Sequence, residues 1–137
     1  MALTHIVDTS VLTRLDEAAI RDAIEVRAER GELARAGISD LEIGYSARGV
    51  GEWDRLRTAL QVFELVETSS EHLRRARQVQ RLLAARHQRG RKVPDLLVAA
   101  AAESRNLTLF HYDADFERIG AVTGQPCDWV VPAGSID

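Results

Sequence analysis

The chain has 137 residues, 45% of them apolar and 28% charged, with a formal net charge of −3. This is long enough to bury a core as a single domain over 1–137, and the composition excludes a disordered or collagen-like chain. The single Cys127 excludes an internal disulfide and a thiolate metal cluster built by one copy, and it fits a reducing cytoplasm. No apolar run approaches the ~20 residues that span a bilayer. MALTHIVD carries a charge within ten residues and no long apolar stretch, so no signal peptide is expected. The charge is unevenly spread: from Glu71 to Lys92 there are seven Arg and one Lys against one Glu, a local +7 that leaves −10 for the rest. A locally basic face of this kind suits phosphates, although it is also an ordinary solvated helix face.

Residues 4–8 (THIVD) predict a short buried strand, with Thr9 and Ser10 as helix caps. Residues 11–30 predict one or two helices, interrupted near Asp16 and closed by Gly31. A strand is expected over 33–38. Ser39 and Glu42 form an S-x-x-E capping box opening a helix to about Arg48, and 52–60 predict another helix. QVFELVE (61–67) alternates as a strand does. Thr68 and Glu71 make a second capping box before a long helix to about Arg89, with Leu73, Ala76, Val79 and Leu83 as its apolar stripe and Gly90 as its end. Pro94 suits the first turn of a helix running to about Arg105, apolar almost all round and so buried. LTLFH is a strand, DADFERIG a short helix and CDWVV a final strand. Alternation of this kind implies an α/β fold with a mainly parallel sheet covered on both faces.

Four carboxylates fall where a strand gives way to a helix. They are Asp8 in THIVDTSVL, Glu42 in GISDLEIGYSAR, Asp95 in KVPDLLVAAAA and Asp113 in LTLFHYDADFERI. In α/β proteins this is the crevice where ligands bind. Carboxylates gathered there repel one another unless a cation holds them, and clustered oxygens suit Mg²⁺ or Mn²⁺. Each also fits a structural role: Glu42 in a capping box, and Asp95, Asp113 and Asp115 in first helical turns, where an anion gains about 0.3–1 kcal/mol. Asp8 also fits as the cap of the helix after it.

Taken with VDTSVL, LEIGYSAR, PDLLVAAAA and HYDADFERI in this order, the chain resembles a PIN domain, and more closely the toxin of a bacterial VapBC-type toxin–antitoxin pair. The resemblance covers essentially the full length. It implies a three-layer α/β/α sandwich on a parallel sheet, and a Mg²⁺-dependent (or Mn²⁺-dependent) endoribonuclease that cuts single-stranded or looped RNA, with tRNA or rRNA as the expected substrate. The family's acidic quartet falls on Asp8, Glu42, Asp95 and Asp113. Asp8 and Asp95 are expected as direct metal ligands, with Glu42 and Asp113 binding through water, holding a second ion or orienting the attacking water. Asp115 and Ser10 are expected in support. The resemblance further implies a VapB-type antitoxin whose tail blocks the pocket, a homodimer, and a cytoplasmic location away from any membrane.

The expected RNA contacts are Arg48, Arg86, Arg89, Arg91 and Lys92. The four histidines lack H-x-x-x-H or similar spacing and are expected to pack or face solvent rather than bind zinc. Leu12, Leu15, Ile20, Ile24 and Leu33 exceed what one small layer needs and suggest a groove for a partner's amphipathic segment. Two other readings compete. A phosphatase using Asp8 as nucleophile would want a second acid in a D-x-D pattern, and Ser10 stands there instead. A non-toxin or catalytically weak PIN-like module binding RNA or protein would not need the complete quartet.

Overall fold

A computed structural model describes residues 2–88 and 92–136. Its centre is one five-stranded sheet, every pairing parallel, in the order β3-β2-β1-β4-β5. The strands are β1 His5–Val7, β2 Leu33–Ala36, β3 Glu64–Val66, β4 Thr108–His111 and β5 Cys127–Trp129. Parallel neighbours need crossovers, and seven helices among the described residues supply them: α1 Thr9–Leu12, α2 Ala18–Glu29, α3 Gly37–Tyr45, α4 Val50–Leu60, α5 Ser70–Ala85, α6 Val93–Ser104 and α7 Asp115–Thr123.

The pleat sends successive strand residues to opposite faces. Ile6, Ala34, Ala36 and Leu109 enter one core with α5, α6 and α7, whereas Val7 and Leu33 enter a second with Ile20 and Ile24 of α2 and Leu60 of α4. The molecule is therefore a three-layer α/β/α sandwich. Helix α6 is buried from Asp95 through Ala102. Its alanines let it lie close against β1, β2 and β4, and Pro94 opens it without losing a needed N–H.

Several sequence expectations hold, and several are corrected. The break near Asp16 separates α1 from α2. Gly31, at φ +69°, ends α2 in a left-handed conformation that a β-carbon would strain. The Ser39–Glu42 capping box does not form. Helix α3 begins three residues earlier than that box implies, with Ala36 at its cap position, and Ser39 is wholly buried inside it. The second box shifts by one residue: Ser69 caps α5, accepting from the His72 N–H at 3.2 Å, while His72 Nδ1 accepts from the Ser69 N–H at 3.3 Å. Thr68 and Glu71 are displaced because His72 also reaches Ser104 of α6, its Nε2 3.0 Å from the hydroxyl. That choice rotates α5, so His72, Ala76, Val79 and Leu83 form the buried stripe and Leu73 is left exposed. Helix α5 ends at Ala85; Gly90, expected to end it, lies outside the described residues. Leu12, Ile20, Ile24 and Leu33 are core rather than partner surface, and Leu15 packs partly buried beside them.

One buried charge organises the β2–α3–α4 corner. Arg35 of β2 is 5% exposed. Its guanidinium donates bidentately to Asp40 of α3, at 2.7 and 3.1 Å, and donates to the carbonyls of Leu60 and Phe63. A buried guanidinium is tolerable because these partners compensate its lost hydration.

Candidate active site

The chain order crosses over at β1: α1 and α2 lead to β2 on one side of it, and α6 leads to β4 on the other. At such a switch point the carboxyl ends of neighbouring strands diverge and leave a crevice. Asp8 directly follows β1, and its N–H donates to Phe110 O of β4 at 2.9 Å. Its side chain caps α1, Oδ2 accepting from the Ser10 N–H at 2.9 Å. Asp113 follows β4. Asp95 and Glu42, expected at strand ends, instead lie in the first turn of α6, which follows α5 rather than a strand, and well inside α3.

One carboxylate oxygen from each of Asp95, Asp113 and Asp115 lies within 4.8 Å of the others. Asp8 stands outside that set but acts on it electrostatically. Burial pushes the Asp95 carboxyl up to about 7, the charges of Asp8 and then Asp113 add to the rise, and Lys92 opposes it. Burial likewise pushes Asp8 up to about 6, against the hydrogen bonds from Ser10 and Thr9 and with a further push from Glu42. Asp8 and Asp95 are 3% and 8% exposed, and Asp95 Oδ2 has no hydrogen-bond partner. A buried carboxylate oxygen without a donor is costly unless something cationic completes it. The donor set is all oxygen, which fits a hard divalent ion.

Hydroxyls fix the second rank of the site. Thr9 Oγ1 lies 2.6 Å from Glu42 Oε1 and 2.8 Å from Ser39 Oγ. A carboxylate only accepts, so the Thr9 proton goes to Glu42 and the Ser39 hydroxyl donates to Thr9. Ser10 Oγ accepts from the Tyr112 N–H at 2.8 Å, tying α1 to the segment before Asp113. His111, 1% exposed, accepts from the Asp113 N–H on Nδ1 at 3.2 Å, and burial lowers its pKa to about 4. It packs against Phe116 and Trp129.

Of the quartet named from the sequence, Asp95 and Asp113 come together, with Asp115 closer than its supporting role suggested; Asp8 acts on Asp95 through its charge, and Glu42 acts on Asp8. Ser39 was missed as a site residue. Its only signal was lying three residues before Glu42, on the same helical face, and that spacing also reads as a cap. Of the expected RNA contacts, Arg48 is exposed and pairs with Glu52 at 3.3 Å. Arg86 is exposed beyond the end of α5. Arg89 and Arg91 lie outside the described residues. Lys92, though exposed, lies over the pocket's rim, 3.4 Å from Asp115 Oδ2 and 3.7 Å from Asp113 Oδ2.

A doubly wound parallel sheet with an all-carboxylate pocket at its switch point is the architecture of the PIN domain, and the model of that family matches residues 5–122. Among characterised relatives, ribonuclease VapC51 of Mycobacterium tuberculosis (strain ATCC 25618 / H37Rv) is 60% identical over 137 residues, 100% of either chain. Ribonuclease VapC21 of Mycobacterium tuberculosis (strain CDC 1551 / Oshkosh) is 41% identical over 98% of this chain and 99% of its own. The chain belongs to the VapC ribonucleases of the PIN-domain family. The fold is shared with a crystallised VapBC2 from Rickettsia felis bound to a DNA fragment from their promoter, at TM-score 0.76 and 18% identity over 93% of this chain and 98% of that one. It is shared equally with a DNA-bound VapBC from Salmonella typhimurium, at TM-score 0.76 and 18% identity over 94% and 99%.

Proposed function

We propose that this chain, acting as a single nuclease domain, is the endoribonuclease toxin of a VapBC-type pair, cutting single-stranded or looped RNA at the Asp8–Glu42–Asp95–Asp113 pocket. The observation that carries the reading is the buried, unpartnered Asp95 Oδ2 within a set of carboxylates that repel one another. Asp8, Asp95 and Asp113 would hold Mg²⁺ or Mn²⁺, with Asp115 beside them. When bound, such an ion supplies charge relief at the phosphate and an ionisable water. The chain's own groups do the rest. Thr9 occupies Glu42 Oε1, so Glu42 Oε2 is left to accept a proton from the attacking water. Asp113 Oδ1 accepts from the Asp115 N–H at 2.9 Å, which holds its carboxylate in one orientation. The exposed Arg face of α5, with Arg86 and Arg48, is suited to RNA phosphates.

The antitoxin fits an apolar groove of about 580 Å³ between α3 and α4, floored by Ile43, Leu56 and Leu60 and rimmed by Leu41, Trp53 and Leu65. An amphipathic helix laid in a hydrophobic groove is an established mode of recognition. Among the described residues no helix is long and apolar enough to cross a membrane, and the toxin is assigned to the cytoplasm, as a homodimer. Purified protein with Mg²⁺ or Mn²⁺ should cleave cellular RNA, and EDTA or Asp8→Asn should abolish cleavage without unfolding it. Expression should arrest growth, and co-expressed antitoxin should restore it. Full activity in the Asp8→Asn protein would overturn the site assignment.

A further inference from the structure

The pocket already contains a cation belonging to the chain. Lys92 immediately precedes α6, three residues before Asp95. Its Nζ lies 3.4 Å from Asp115 Oδ2 and 3.7 Å from Asp113 Oδ2. The partner oxygens of these two aspartates are otherwise engaged. Asp113 Oδ1 accepts from the Asp115 N–H, and Asp115 Oδ1 takes Arg118 at 3.1 Å. Lys92 therefore holds the Oδ2 pair, on two of the three residues whose oxygens come within 4.8 Å of one another.

We infer that Lys92 is the resident counter-cation of the acidic pocket, an ammonium tethered to the chain that a divalent ion must displace in order to bind. The inference rests on the reading of the pocket as a metal site. An ammonium 3.4–3.7 Å from these oxygens repels a divalent ion bound at the same carboxylates, so ammonium and metal compete. The tether is built to yield. Both contacts are longer than the ~2.8 Å of a tight charge-assisted hydrogen bond, and the Lys92 side chain is 65% exposed on a flexible stem. Its role is to relieve carboxylate repulsion in the metal-free protein and to set the ion concentration at which the pocket fills. The RNA-contacting role expected for Lys92 from its sequence position then opens only after metal has released it.

The test is Mn²⁺ binding to the full chain without RNA, followed by electron paramagnetic resonance at low salt and pH about 7.5, for wild type, Lys92→Met and Lys92→Arg. Exposed ion pairs of this kind are each worth a factor of roughly 1.4 to 5, so two of them predict that Lys92→Met binds Mn²⁺ on the order of five-fold more tightly. Lys92→Arg, which keeps the charge, should stay near wild type, and the gap should narrow in about 0.5 M KCl as screening weakens the competitor. Asp95→Asn, losing Mn²⁺, identifies the site being read. Equal or weaker Mn²⁺ binding by Lys92→Met overturns the inference and leaves the metal site standing. No Mn²⁺ binding by wild type overturns both.

Discussion

Replacing Asp95 by Asn should stabilise the metal-free protein at alkaline pH while destroying its metal response. The Asp95 carboxyl is raised from 3.8 to about 7, chiefly by burial and then by Asp8 and Asp113. A carboxyl raised in the folded state binds its proton more tightly there than in the unfolded chain. Its contribution therefore favours folding below pH ~4 and is lost as pH climbs through ~7. About three pH units at ~1.4 kcal/mol each set a ceiling of ~4 kcal/mol at pH 8. Relaxation and the neighbouring charges reduce this to roughly 2–3 kcal/mol, or a gain of about 6–12 °C in Tm for Asp95→Asn in a domain of this size. The assay is thermal unfolding by circular dichroism in EDTA at pH 4.5, 6 and 8. The two proteins should nearly coincide at pH 4.5 and diverge steadily above it, with wild type falling throughout because Asp8, raised to about 6, carries the same sign. Adding Mn²⁺ at pH 8 should raise the wild-type Tm and leave Asp95→Asn unmoved. An Asp95→Asn protein less stable than wild type at pH 8 in EDTA, or a difference independent of pH, would refute the electrostatic account.

Other outcomes follow from the same geometry. Thr9→Val removes the 2.6 Å bond to Glu42 and should lower the RNA cleavage rate about ten-fold with little change in Mn²⁺ affinity, whereas Thr9→Ser should retain most activity. Arg35→Met strands Asp40 and the carbonyls of Leu60 and Phe63, so urea unfolding should register a loss of about 3–5 kcal/mol. Gly44→Ala would place a β-carbon 2.6 Å from Trp53 Nε1. The half-exposed indole must swing away, which should shift tryptophan fluorescence and weaken antitoxin binding while RNA cleavage persists.

Much of this fold is legible without coordinates because its local signals agree with its global plan. Short apolar strands such as HIV and TLFH, the Pro94 start and alanine run of α6, and Gly31 at the end of α2 each permit few alternatives. A parallel sheet follows from their alternation. Asp8 and Asp113 are legible for a related reason: in such a sheet, a carboxylate just past a strand has one crevice to enter, whereas Asp95 in α6 and Glu42 in α3 reach it only through the packing of their helices. What tertiary structure alone decided are facing and partnership. A shift of one to three residues in a helix start changes which side chains face the core, at about 100° per residue. Such shifts turned Ser39 from an exposed cap into a buried hydroxyl beside Thr9, and exposed Leu73 while His72 turned inward to meet Ser104. Leu12, Ile20 and Ile24 look like surplus surface in one dimension, yet a second core on the far side of the sheet consumes them. Lys92 reads as one more cation in a basic run. Its pairing with Asp113 and Asp115 joins residues more than twenty positions apart along the chain, and that contact exists only because α6 and β4 lie side by side, bringing both ends to the same crevice.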